Sequence, residues 1–215
     1  MRIFIDSSDP EIWQSYNRLG FLYGATTNPL ILKRDGRDCS VKTYEELADN
    51  ATSVGLKELH IQATGTTAEE LIQSGSEIAA LGNNIVVKLP LTIAGLQAAN
   101  VLHRQNHSIT LTAAYAAHQM MAAIAIGTEY IAPYYGRLLE AEKNADAILS
   151  SMLSMKNAAL DAPRILVASI RSIEQLQYLA SNGHNTFTLN PEIANLFGRD
   201  PLSDKAASDF EKARI

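Results

Sequence analysis

The sequence predicts a (β/α)8 barrel: a parallel sheet closed on itself and ringed by helices. Three observations carry this. Eight short apolar, β-branched runs recur along the chain, each bounded by polar or turn residues. The runs are apolar on both faces, which is the pattern of strands covered on both sides. Segments of helical period lie between them, so strand and helix alternate. The 215 residues divide into eight units of about 27 each, near the lower end for this architecture. An open doubly wound sheet is the rival, but with about six strands it leaves two runs without a place.

The elements follow in order. Arg2-Ile3-Phe4-Ile5-Asp6 is the first strand. Asp9-Pro10 then sets an N-cap and an N1 proline before a helix over 11–19, with Gly20 closing it. The second strand, 21–27, stops at Asn28-Pro29. A helix over 43–54 ends at Gly55. The third strand, 59–63, is the weakest. Thr66-Thr67-Ala68-Glu69 resembles a capping box and leads a helix to Leu81, ahead of Gly82. The fourth strand, 84–90, is the strongest. Helices over 92–105 and 113–126 flank the fifth strand, 108–112, and Gly127 closes the second of them. Strands six and seven are 130–134 and 164–169. Ser172 opens a helix that runs to Gly183, and 186–190 is the eighth strand. A short C-terminal helix completes the chain. One domain over residues 1–215 is expected, without linker, low-complexity tract or strong internal repeat.

Composition narrows the function. Hydrophobic residues make up 47% and charged residues 19%, too apolar for a disordered chain. Eighteen basic and 23 acidic residues give a net charge of -5. That balance argues against nucleic-acid binding, which needs a broad basic face. It leaves room for a small basic pocket that takes an anionic metabolite. Cys39 is the single cysteine, so no intramolecular disulfide and no multi-cysteine zinc site can form. The start, Met-Arg-Ile-Phe-Ile-Asp, is charged too early for a signal peptide, and no apolar stretch approaches membrane-spanning length. A cytoplasmic protein with no membrane partner is expected. The five histidines have no metal-ligand spacing, and no metal is expected.

Barrel active sites lie at the C-terminal ends of strands. Each predicted strand carries a polar residue at or near its C-terminal end: Asp6, Thr26-Thr27-Asn28, Gln62, Lys88, Thr112, Tyr134, Ser169 and Asn190. Lys88 stands out. It follows three apolar residues, and an ammonium at the mouth of a dry barrel loses hydration, so its pKa falls toward neutrality. A neutral amine attacks carbonyls and forms Schiff bases. By spacing alone, Lys88 reads more readily as a lysine that snorkels from a strand end to water.

Five motifs occur in one order: Phe4-Ile5-Asp6, Thr26-Thr27-Asn28-Pro29, Val86-Val87-Lys88-Leu89-Pro90, Pro133-Tyr134 with Arg137, and Ala168-Ser169. Together they resemble the small-subunit transaldolase family, which includes fructose-6-phosphate aldolase. The resemblance runs from residue 2 to about residue 210. It implies a (β/α)8 barrel that performs Schiff-base aldol cleavage or dihydroxyacetone transfer on sugar phosphates, without metal or organic cofactor. It implies Lys88 as the Schiff-base lysine and Asp6 as a proton-transfer and positioning group beside the donor hydroxyls. Asn28, with Thr26 beside it, is implied to contact substrate, and an Asn-Pro turn is compatible with that contact. Arg137 and Ser169 are implied to hold the phosphate, with Arg171 as a further cation. A homo-oligomer, pentameric or decameric, is implied as well.

Three positions bear on the reaction. Gln62, Thr112 and Tyr134 are similar to the aldolase branch, where transaldolases tend to have glutamate at the first and phenylalanine at the last. Together they are expected to hold one water through which Tyr134 carries a proton. A class I aldolase that cleaves or forms a ketose phosphate such as fructose 6-phosphate is therefore expected. The alternative is a transaldolase, or an enzyme for a related anionic sugar such as a sulfosugar. A non-catalytic sugar-phosphate-binding barrel is the third reading; it would need Arg137 and Ser169 but not Lys88, Asp6 and Tyr134 together. Three features depart from the aldolase pattern: Leu30 after Asn-Pro, the loop Tyr135-Gly136-Arg137, and a tail over 210–215 that lacks the usual tryptophan.

Overall fold

A computed structural model describes residues 1–214. Its strands are β1 (Arg2–Asp6), β2 (Leu22–Thr26), β3 (Glu58–Gln62) and β4 (Ile85–Pro90), then β5 (Ile109–Ala114), β6 (Tyr130–Pro133), β7 (Arg164–Ile165) and β8 (Thr186–Leu189). They form one parallel sheet in the order β7-β6-β5-β4-β3-β2-β1-β8. Beyond β7 the Val167 N–H donates to the Thr186 carbonyl, and the Thr188 N–H donates to the Val167 carbonyl, both at 3.0 Å. These bonds close the barrel.

The helices are α1 (Pro10–Asn17), α2 (Pro29–Arg34), α3 (Val41–Val54), α4 (Ala68–Ala79), α5 (Ile93–Arg104) and α6 (Gln119–Ile126). After them come α7 (Tyr135–Glu140), α8 (Ala145–Ala158), α9 (Ile173–Ser181) and α10 (Pro191–Ala194), a 3-10 turn (Asn195–Gly198) and α11 (Pro201–Lys212). Side-chain caps start many of them. Asp9, Asn28, Ser40, Thr67, Thr92 and Ser172 each accept from a first-turn N–H that would otherwise lack a partner. None of the described helices is long and apolar enough to cross a membrane.

Several boundaries differ from expectation. The predicted helix over 113–126 is split: β5 runs on to Ala114, and α6 starts only at Gln119. Ala113 sits at φ 60° and shifts the β5–β6 register, a bulge that an alanine run does not announce. The capping box is Thr67 with Glu70, one residue later than expected. Glu70 also accepts from the Thr66 N–H and hydroxyl, so one carboxylate holds both threonines at the start of the helix. Helices α2, α7, α8 and α10 have no counterpart among the elements expected from the sequence.

Outward-facing strand residues such as Ile5, Ile61, Val87 and Leu89 pack under the helices against Trp13, Leu47, Leu71 and Leu102. Burying each such side chain contributes about 1.5–3 kcal/mol. Inside the barrel, Phe4, Val86, Tyr130, Ala132 and Leu166 form a second, smaller cluster. Below it Glu58 gathers Arg2 (3.2 Å), Tyr23 (3.2 Å), Tyr130 (2.5 Å) and His60 (3.1 Å) into a polar plug. The plug fills the lower barrel, and the inward-facing residues above it border a cavity at the C-terminal strand ends.

Candidate active site

A cavity opens among the C-terminal strand ends, with Lys88 at its base. Strand alternation turns Val86 and Lys88 inward and sends Val87 and Leu89 out to the helices. Lys88 is only 4% exposed, and its Nζ donates to the Thr27 carbonyl at 2.7 Å. That carbonyl is held in place, because the Thr27 N–H and hydroxyl both donate to the His60 carbonyl, at 2.8 and 3.1 Å. Burial pushes the Lys88 pKa down to about 8, against the opposing pull of the Asp6 carboxylate. At that value roughly one amine in ten is unprotonated at pH 7.

Asp6 ends β1 and lines the same cavity. The Thr26 hydroxyl donates to its Oδ1 at 2.8 Å. The hydroxyls of Thr26 and Thr188 lie 2.5 Å apart. Protein walls around the carboxyl raise its pKa, and the Lys88 ammonium counteracts that rise. Across the cavity the Thr112 and Tyr134 hydroxyls are 2.9 Å apart. Burial raises the Tyr134 pKa, which keeps it a phenol and a proton donor. Asn28 also lines the cavity, while its side-chain carbonyl caps α2 by accepting from the Leu30 and Ile31 N–H groups. The Asn-Pro turn therefore starts a helix, and the amide nitrogen is left for other contacts.

Gln62 is placed differently. It has the inward register, directly across the β3–β4 ladder from Lys88. It does not line the cavity with Thr112 and Tyr134, and it makes no side-chain hydrogen bond among the described residues.

The opposite wall comes from α7 and the segment that follows β7. Ser169 lies at φ 60°, a left-handed conformation that costs a non-glycine residue of order 1–3 kcal/mol. Its hydroxyl is buried without a partner. Gly136 lets α7 approach this turn: its N–H donates to the Ser169 carbonyl at 2.8 Å, and a Cβ there would lie 2.3 Å from that oxygen. Arg137, the next residue, stacks over the Tyr134 ring at 4.9 Å. It forms no ion pair among the described residues. Arg171 reaches the cavity too, but Glu140 already pairs with it at 3.1 Å. A strained serine, an unpaired guanidinium and a free hydroxyl on one wall suit an anion.

The family model for transaldolase/fructose-6-phosphate aldolase matches residues 3–214. The chain belongs to this family. It is 30% identical over 212 residues to a probable transaldolase of Ruegeria pomeroyi, covering 98% of this chain and 94% of the relative. A probable transaldolase of Streptococcus equi subsp. zooepidemicus is likewise 30% identical over 212 residues, covering 98% of this chain and 96% of that protein. The protein is a transaldolase-family enzyme, and sugar phosphates fit the family as substrates.

In this transaldolase-family barrel, one group that touches Asp6's partner was missed. Thr188 lies 5% exposed inside the barrel, yet a strand threonine carries no signal of its own. The signal was alternation: Asn190 at the strand exit implies that Thr188 faces inward too. No group of three or more His, Cys, Asp or Glu side chains among the described residues is arranged to hold a metal ion.

Proposed function

We propose that this enzyme is a class I aldolase whose Lys88 forms a Schiff base with a ketose phosphate. The observation that carries the reading is the buried Lys88 amine, with its pKa near 8, in one cavity with Asp6, Tyr134 and an unpaired Arg137. The neutral amine attacks the C2 carbonyl, and loss of water gives an iminium. The iminium draws in the electron pair of the C3–C4 bond as it breaks. Asp6 takes the C4 hydroxyl proton, so the aldehyde leaves and an enamine stays on Lys88. Tyr134 protonates the enamine at carbon, and water then releases dihydroxyacetone and the free amine. Arg137 and Ser169 hold the distal anion, with Arg171 assisting, and Asn28 contacts the donor hydroxyls.

Transfer of the same enamine to a second aldehyde phosphate is the second reading. Gln62 supports it: its side chain makes no hydrogen bond to Thr112 or Tyr134 among the described residues and does not line the cavity with them, whereas the aldolase reading expects the three to share one water. A homo-oligomer is part of the proposal: α11 buries none of its residues and leaves Leu202 and Phe210 about three-quarters exposed. Borohydride reduction in the presence of fructose 6-phosphate or dihydroxyacetone tests the chemistry. A reduced three-carbon adduct on Lys88 is expected; labelling elsewhere, or none with any ketose donor, refutes it.

A further inference from the structure

We propose that Thr188 on β8 is a positioning residue that decides which oxygen of the Asp6 carboxyl carries the proton during turnover. The proposal rests on the reading of Asp6 as the proton-transfer group beside Lys88. Its basis is the direction of a short hydrogen-bond chain. A hydroxyl has one hydrogen to give, and a carboxylate only accepts. The Thr26 hydrogen is committed to Asp6 Oδ1 at 2.8 Å. Thr26 can then offer Thr188 only its lone pairs, so across the 2.5 Å contact Thr188 is the donor. The chain runs one way, from Thr188 through Thr26 to Oδ1. A hydroxyl that accepts a hydrogen bond donates more strongly, so Thr188 strengthens the grip of Thr26 on that oxygen.

The two oxygens of Asp6 are thereby made unequal. Oδ1, which receives the chain, is the poorer base. Oδ2 has no hydrogen-bond partner among the described residues, and Asp6 lines the cavity. The proton therefore comes and goes at Oδ2, where the substrate hydroxyls lie. The fold makes this possible because β1 sits between β2 and β8. Asp6 pairs in register with Thr26 and Phe4 pairs with Thr188, so the two threonines meet inside the barrel beside β1. Other elements also act on this carboxyl. Lys88 from β4 and Arg34 from α2 support its charge, Asp35 opposes it, and the Tyr134 phenol feels it from the end of β6.

Thr188→Val keeps the side-chain shape and removes the hydroxyl. Its kcat is expected to fall about 3- to 10-fold, the scale of one neutral hydrogen bond. KM is expected to stay within about twofold, as for an interaction that matters after binding. The acid limb of the kcat profile moves to higher pH, because the carboxylate has lost part of the support that Thr26 gives it. Thr188→Ser restores both properties, and Thr188→Ala replaces the valine variant if that chain does not fold. A wild-type kcat and acid limb in the hydroxyl-free variant overturn the proposal, as does a serine variant impaired as much as valine. Borohydride trapping in the same proteins separates the two levels. Trapping at Lys88 in the wild type, with kcat and the acid limb unchanged by the valine, refutes the role of Thr188 alone. Absence of trapping in the wild type refutes the Schiff-base reading, and this proposal with it.

Discussion

Gly136→Ala perturbs the anion wall without removing a charged group. Gly136 does not need a left-handed backbone; it needs the absence of a side chain. The added Cβ would lie 2.3 Å from the Ser169 carbonyl oxygen and 2.9 Å from Arg171 Cγ. An ordinary carbon–oxygen contact is about 3.3 Å, so α7 and the turn at Ser169 must part by about 1 Å. Two backbone bonds cross that junction, Gly136 N–H to Ser169 (2.8 Å) and Tyr135 N–H to Ala168 (2.9 Å). Stretching both costs about 1–3 kcal/mol of stability at the usual worth of a hydrogen bond. The same movement draws Arg137 away from Ser169, and a misplacement of about 1 Å in a binding constellation costs up to about 100-fold. Steady-state kinetics with a phosphorylated ketose and with unphosphorylated dihydroxyacetone, alongside urea unfolding, read both effects. The phosphorylated substrate should lose far more kcat/KM than the unphosphorylated one. Lost stability with unchanged discrimination between the two would refute the assignment of this wall to the anion.

Three further perturbations probe the other walls. Arg137→Ala should raise KM for the phosphorylated substrate about 30- to 150-fold, the scale of a lost charged hydrogen bond of roughly 2–3 kcal/mol; equal losses with unphosphorylated dihydroxyacetone would make the arginine structural. Tyr134→Phe removes the phenol that faces the enamine, so donor cleavage should fall by about 10²–10⁴-fold while transfer to erythrose 4-phosphate is spared. Proportionate loss of both activities would mean that Tyr134 shapes the pocket only. Asp6→Asn removes the charge that holds the Lys88 pKa up. The amine should then be trapped at lower pH than in the wild type while turnover collapses, a pair of opposite effects that simple misfolding does not produce; an unmoved trapping midpoint would place Asp6 out of electrical reach of Lys88.

Much of the barrel was legible because parallel strands buried on both faces leave continuous apolar runs, and the C-terminal ends must stop on something polar. That logic found Asp6, Lys88, Thr112, Tyr134 and Ser169, and the cavity brings them together. What it missed has local causes. Ala113 and Ser169 adopt positive φ without the glycine or asparagine that announces it. The alanines from Ala113 to Ala117 favour a helix by propensity, but the bulge keeps the first two in β5. Asn28-Pro29 reads as a turn, and only the cap geometry shows that a helix begins there. His60 looks like background in the sequence. In the fold it is fully buried, its Nδ1 is 2.9 Å from the Thr110 hydroxyl, and burial lowers its pKa so that it stays neutral. Gln62 shows the limit of register as evidence: it faces inward by parity yet does not line the cavity with Thr112 and Tyr134.

The most direct test of the chemistry is the pH dependence of borohydride trapping with dihydroxyacetone, with the modified residue located by peptide mass analysis. A single reduced adduct on Lys88 is expected. Its initial rate should rise with pH around a midpoint near 8, the value to which burial brings this amine. A midpoint near the ordinary lysine value of about 10.4 would contradict the desolvated nucleophile, and an adduct on any other lysine would contradict the site itself.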